Sequence, residues 1–160
     1  EDGFDNNALT AIKDALKAEG AHAKIISKNL GMITSADGQE VEVDKSYSTS
    51  ASVLFDAVFV PGGKQSVEKL KMQGDSIHWI NESFKHCKPI AATGEAVDFL
   101  NKTDITGVNL AGAETDGNPV NDTGVVTIGN ASDFSAFAGE FIESIAQHRH
   151  WKREKQKVPA

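Results

Sequence analysis

Two hydrophobic periods alternate along this chain. Short apolar runs mark strands, and apolar residues recurring every three or four positions mark helices. Leu9, Ile12, Ala15 and Leu16 repeat at helical spacing, and Glu19-Gly20 ends that run with a glycine suited to a C-terminal cap. Residues 23–27 read as a strand. Residues 32–35 and 41–43 flank Ala36-Asp37-Gly38, the pattern of a small hairpin. Residues 55–60 form an apolar run stopped by Pro61-Gly62-Gly63, as when a buried strand ends at a turn. Residues 65–72 and 77–86 are two helical pieces parted at Gly74. Residues 89–92 form another strand, with a helix over 96–101 behind it. Residues 108–111 and 125–128 read as late strands. Phe134, Phe137, Phe141 and Ile145 then draw an apolar stripe along a long final helix.

Strands alternating with helices predict an α/β domain with a mostly parallel sheet between helical layers, a three-layer flavodoxin-like arrangement. In a sheet of order 2-1-3-4-5 the first strand is central. Glu1-Asp2-Gly3-Phe4-Asp5 reads as the loop that would follow such a strand, so the domain is expected to lack its first strand and to be a piece of a longer polypeptide. The domain is expected to cover residues 1–148. Residues 149–160 are a basic tail containing Arg149, Lys152, Arg153, Lys155 and Lys157, expected to be solvated beyond Trp151.

The candidate chemistry lies where residues 89–92 break at Thr93-Gly94-Glu95 into the helix-like Ala96-Val97-Asp98-Phe99-Leu100. A strand-to-helix turn of this kind lifts one side chain above the sheet edge, where a nucleophile would sit. The lifted residue is expected to be Thr93. An alcohol needs a neighbouring base to attack anything, and Gly94 offers none. Glu95 starts the helix, where a carboxylate simply favours the N-terminus. The turn therefore reads as a degenerate elbow with no catalytic residue. Backbone N–H groups of Gly62 and Gly63 could still face an anion, which leaves a residual small-molecule pocket around Gly62, Gly63 and Thr93. Gly62-Gly63-Lys64 lacks the full spacing of a phosphate loop.

These blocks carry a resemblance. VFVPGG (58–63) with KPIAATGEAV (88–97) resembles the PfpI-type branch of the class I glutamine amidotransferase-like superfamily, whose active members typically read Ala-x-Cys-His-Gly at the elbow. Here that stretch is Ala91-Ala92-Thr93-Gly94-Glu95. With LGMITSADGQEVEVDKSY, SVLFDAVFVPGG, HCKPIAATGEAV and QHRHWKRE in collinear order, the chain more closely resembles the C-terminal domain of large-subunit haem catalases. That resemblance implies a noncatalytic domain without a cofactor of its own. Peroxide detoxification and haem would belong to a separate domain of the parent. The implied partners are that haem domain and its tetramer neighbours, and the domain would stabilise the tetramer. Chaperone activity toward unfolded proteins is implied by other members of the superfamily. The rival expectations are a hydrolase or glyoxalase-like enzyme using Thr93, and a small-ligand sensor.

Composition narrows the rest. A net charge of −7 argues against nonspecific nucleic-acid binding. No apolar run reaches the ~20 residues of a membrane helix. The single cysteine, Cys87, excludes an internal disulfide and a Cys-rich metal site, and an isolated cysteine is most often a small buried hydrophobe. His148 and His150 point to different helix faces, and His22, His78 and His86 are not at ligand spacing, so no metal site is expected. Asn81, Asn101, Asn121 and Asn130 each begin a glycosylation sequon, which makes secretion an alternative to a cytoplasmic location.

Overall fold

In a computed structural model describing residues 1–112 and 117–153, helix α1 (Asn6–Ala18) opens on Asp5. The Asp5 carboxylate accepts from the N–H groups of Asn7 (2.9 Å) and Ala8 (3.2 Å), two donors that helix geometry leaves without partners. β1 (Ile26–Ser27) follows, then the antiparallel hairpin of β2 (Gly31–Thr34) and β3 (Glu40–Val43), then β4 (Lys45–Ser46). A 3₁₀ turn (Ser52–Leu54) leads to β5 (Val58–Val60), α2 (Lys64–Lys71), α3 (Gly74–Lys85), β6 (Ile90–Thr93) and α4 (Ala96–Leu100). β7 (Val120–Asp122), β8 (Val125–Ile128), α5 (Ser135–Ala146) and a 3₁₀ turn (Trp151–Arg153) complete the described chain.

The main sheet has the order β5-β6-β8-β7, with β5, β6 and β8 parallel and β7 antiparallel at the edge. Side-chain alternation divides its two faces. Val60, Ile90, Ala92 and Val125 pack with α2, α3 and α4, while Ala91, Val126 and Ile128 pack with α1 and α5. β6 and β8 are buried at every position, as central strands covered on both faces should be. Phe59 reaches into the second layer, its ring 6.0 Å from that of Phe137 and 6.5 Å from that of Phe141. This is the expected three-layer α/β fold.

Several sequence expectations change. Of residues 23–27 only Ile26 and Ser27 pair, in parallel with β4, and that two-stranded sheet is not joined to the main one. Residues 108–111 form no strand. Side chains hold them instead: Asp122 Oδ2 accepts from the Asn109 backbone (2.8 Å) and side-chain (2.9 Å) N–H groups, and Thr127 Oγ1 accepts from Ala111 N–H (2.8 Å). The late edge strand is β7. It returns into β8 through Thr123 (φ 49°) and Gly124 (φ 80°), two left-handed residues that give the twist a two-residue hairpin needs. Gly74 begins α3 and does not part the helices; the break falls at Met72 and Gln73.

Helix α3 ends in a Schellman motif. Cys87 N–H bonds Phe84 O (3.0 Å) and Lys88 N–H bonds Ser83 O (3.0 Å), with Cys87 in the left-handed region (φ 57°) usually given to glycine. The C-terminal turn docks on this corner. His150 N–H donates to Cys87 O (2.8 Å), Arg153 Nη2 donates to Lys88 O, and the Arg153 guanidinium lies 4.8 Å above the Phe84 ring. Arg153 is therefore buried, whereas Trp151 and Lys152 are exposed; the folded unit extends past residue 148. Lys155 and Lys157 lie outside the described residues.

The His150 ring donates through Nε2 to Ser144 O (3.1 Å). Burial holds its pKa below the ordinary 6.5, against the pull of that carbonyl and with the help of Arg153. As pH falls from about 6.5, the unfolded chain takes up this proton before the folded one does, so stability is lost through that window down to the folded value. Urea midpoints at pH 7.5 and 5.5 should fall further for the wild type than for His150→Gln. Equal falls would show that His150 carries no such dependence.

Candidate functional site

The carboxyl ends of β5 and β6 lie side by side, and the loops leaving them make the candidate site. β6 ends at Thr93, and the residue that turns the chain out of the strand is Gly94 (φ 53°). Thr93 does not take a positive φ, and it is 1% exposed. The lifted position thus belongs to Gly94, which has no side chain to present; this corrects the expectation for Thr93. Gly94 N–H is held by Ile128 O (2.9 Å) and Gly129 O (3.3 Å), so the turn is tied to the end of β8.

Thr93 and Glu95 are bound to the Pro-Gly-Gly turn. Thr93 Oγ1 accepts from Gly62 N–H, and Glu95 Oε2 accepts from Gly63 N–H, both at 3.0 Å. On the other side of the turn, Asp5 N–H donates to Gly62 O (2.8 Å). The two amides that might have faced an anion are consumed by the chain's own oxygens, one of them a carboxylate. An added anion would have to displace a like charge from Gly63.

A polar cavity of about 400 Å³ opens beside the elbow, lined by Asp5, Thr93, Gly94, Glu95, Asn130 and Ser132 among others. Thr93 is in its wall and Gly62 and Gly63 are not, although the Gly62 amide bonds Thr93 directly. No histidine or cysteine lines it; Cys87 is buried at the corner of α3. Among the described residues no group of three or more His, Cys, Asp or Glu is placed to hold a metal ion. An acyl-transfer site needs an exposed nucleophile, a base and free donors for the oxyanion. Here Thr93 Oγ1 and Glu95 Oε2 are engaged by the Gly62 and Gly63 amides, so the polar atoms of the elbow tie two loops together. Replacing Thr93 with Val should leave Gly62 N–H buried without a partner, at a cost of about 1–2 kcal/mol. Thr93→Ser should recover most of it in the same urea titration.

Sequence reasoning missed two residues here. Asp5 joins helix capping to the contact with Gly62, and its signal was an aspartate one residue before a helical repeat. The sequence places Gly94 in the degenerate elbow but not as its lifted residue. The possibility of a positive φ at an elbow glycine was the available sign.

The three-layer α/β arrangement with a strand-to-helix elbow at the end of β6 is the fold seen in DJ-1/ThiJ/PfpI-like proteins. The chain superposes on a two-domain protein from Anabaena variabilis containing DJ-1/ThiJ/PfpI-like and ferritin-like domains, with a TM-score of 0.84 and 17% identity over 91% of this chain and 46% of that one. It superposes similarly on oxidized DJ-1 of Toxoplasma gondii, with a TM-score of 0.80 and 17% identity over 92% and 91%. Within that fold, the chain belongs to the family described as the C-terminal domain found in long catalases, whose profile matches residues 1–155. It is 38% identical to Catalase HPII of Mycobacterium avium over 99% of its own length and 22% of that protein. It is 37% identical to Catalase-2 of Bacillus subtilis (94% and 20%) and 36% identical to Catalase-1 of Neurospora crassa (96% and 22%). The chain thus spans about a fifth of the length of these relatives.

Proposed function

We propose that this chain is the noncatalytic C-terminal domain of a long catalase and that it stabilises the parent tetramer. Hydrogen peroxide is split, in this reading, at a haem held by residues outside the chain. The observation that carries the reading is the elbow, where Gly94 stands at the lifted position and both Pro-Gly-Gly amides are taken by Thr93 and Glu95. Among the described residues no helix is long and apolar enough to cross a membrane. The partners proposed are the haem domain and neighbouring subunits, with no nucleic acid, consistent with a charge of −7.

The test is removal of this domain from the parent enzyme. Peroxide turnover per haem should persist, while the inactivation temperature falls and the tetramer dissociates more readily on dilution. Unchanged assembly and heat resistance would overturn the stabilising role, and loss of turnover in an intact haem domain would overturn the noncatalytic one.

A chaperone activity toward unfolded chains is the second part of the proposal. Exposed Leu30 and Met32 around β2, and Val53 and Leu54 in the turn before β5, support it as apolar surface. The domain should slow aggregation of an unfolded client at stoichiometric ratio, and no effect at excess would sink the idea. Secretion is proposed from the sequons alone. Asn101 and Asn130 are exposed, while the Asn81 and Asn121 side chains hydrogen-bond Asp104 and Glu140, so glycans are expected at the first two. A native chain unmoved in mass by deglycosylation would remove that proposal.

A further inference from the structure

Lys88 is the hub of the end of the sheet opposite the elbow, where β5, β6 and β8 begin. Its ammonium holds the 3₁₀ turn Ser52–Leu54 through Ser52 O (2.6 Å), and its carbonyl accepts from Arg153 Nη2 in the C-terminal 3₁₀ turn. That second turn is fixed at three further points. His150 N–H bonds Cys87 O (2.8 Å), the His150 ring packs on Gly124 with no room for a Cβ between them, and the Arg153 guanidinium lies 4.8 Å over the Phe84 ring. A segment held this firmly nevertheless turns Trp151 outward, 65% exposed, with Lys152 exposed beside it. The first turn does the same with Val53, which is 71% exposed. An ordered tryptophan left in water adds nothing to the fold, whereas a rigid aromatic presents contact area to a partner with little further loss of entropy.

The charges around these side chains are positive, in a chain of net charge −7. Some of them are matched. Glu82 faces Lys85 (3.9 Å) and His86 (3.4 Å) at the end of α3, and Asp56 lies near Lys88. Arg149 and Lys152 form no ion pair among the described residues, and Arg149 Nη1 donates to the carbonyl of its neighbour His148 (2.8 Å). Beneath them Arg153 is 8% exposed, and its Nε and Nη1 bond nothing among the described residues. Burial pulls its pKa down to about 10, as expected of a cation short of a counter-ion. Two unmatched cations above a buried guanidinium, next to an exposed tryptophan, are complementary to carboxylates flanked by apolar side chains. A second copy of this chain fits less well. A two-fold contact through this face would set Arg149 and Lys152 against the same residues of the partner.

We infer that Trp151, Lys152 and Arg149, with Val53 at the margin, form the docking surface for an acidic segment elsewhere in the parent polypeptide. That segment lays Asp or Glu side chains over Arg149 and Lys152 and an apolar side chain on Trp151. Relatives of which this chain covers 20–22% have the length to supply it. The inference rests on the reading of this chain as part of a long catalase, and it identifies which face meets the rest of that protein.

Two measurements on the full-length enzyme test it. Carbodiimide joins an amine to a carboxylate in direct contact, and it should link Lys152 to an Asp or Glu outside residues 1–160, read by mass spectrometry of the digest. No link, or links confined to residues 1–160 of the same or a second copy, overturns the inference. Hydroxyl radicals from water radiolysis should oxidise Trp151 at least about tenfold more slowly in the wild type than in the full-length double variant Arg149→Glu, Lys152→Glu. The charge-conserving pair Arg149→Lys, Lys152→Arg should keep the protection. Equal oxidation in the wild type and the charge-reversed variant overturns the inference, and so does protection gained only when an unfolded client is added. Failure of the stabilising role, read from heat inactivation after removal of the domain, would leave the Lys152 link and the protected Trp151 in place. An open Trp151 in a wild type that loses heat resistance on removal of the domain would overturn this inference alone.

Discussion

Gly63→Ala should lower the stability of the domain by about 3 kcal/mol or more, the largest effect expected of any single methyl group here. Gly63 takes φ 105° and ψ 106°, outside the regions open to residues with a Cβ. A methyl group there would press on the Gly3 carbonyl oxygen and stand 2.8 Å from Phe4 Cα and 2.9 Å from Asp5 N. All three are backbone atoms of the segment that caps α1, so no side-chain rotation can relieve the contact. Gly20→Ala is the control. It has φ 77° but nothing within 4 Å of the added carbon, so only the left-handed penalty of about 1–2 kcal/mol applies. Urea titration of both variants separates the two causes. Equal losses would show that the approach of residues 3–5 to Gly63 carries no energy.

Lys88→Met should cost about 2–3 kcal/mol although it retains most of the buried stem. Lys88 is 3% exposed, and its ammonium donates to Ser52 O (2.6 Å) and Phe55 O (2.7 Å), fastening the turn before β5 to the start of β6. Burial pushes its pKa down, so part of what these bonds contribute is offset by desolvation of the charge. Hydrogen bonds to an ionised donor are worth roughly 1.5–3 kcal/mol each. Methionine restores neither, and Phe55 O loses a donor while Ser52 O keeps the N–H of Phe55. The loss should appear in the urea midpoint and as faster amide exchange over residues 51–56. Unchanged exchange there would mean that the turn is held by Trp79, whose indole N–H bonds Ser50 O (2.9 Å).

The tie between these segments was invisible in the sequence because its partners are far apart. Lys88 and Ser52 are separated by 36 positions, and so no local pattern marks a lysine before a Pro-initiated strand as buried. The same holds at the elbow. Gly62 meets Thr93 across 31 positions, and sequence could show two turns at strand ends but not that each satisfies the other. β7 escaped for a different reason. Three residues with intermediate or exposed side chains carry little hydrophobic signal, and the informative element was the two-residue turn at Thr123-Gly124. Residues 108–111 look like a strand because Val108 and Leu110 are apolar, but side chains of Asp122 and Thr127 hold the amides of Asn109 and Ala111.

What the amino-acid order determined by itself was whatever depends on near neighbours. The 3.6 period placed α1 and α5, short apolar runs placed β6 and β8, Pro61-Gly62-Gly63 ended β5, and the collinear motif blocks carried the family. The tertiary structure decided which segments meet. It put Gly94 at the lifted position, spent the Gly62 and Gly63 amides on Thr93 and Glu95, and buried Arg153 against Phe84. Periodicity reports which face of an element avoids water, whereas a hydrogen bond between distant segments depends on how those elements are packed, and packing is a property of the whole chain.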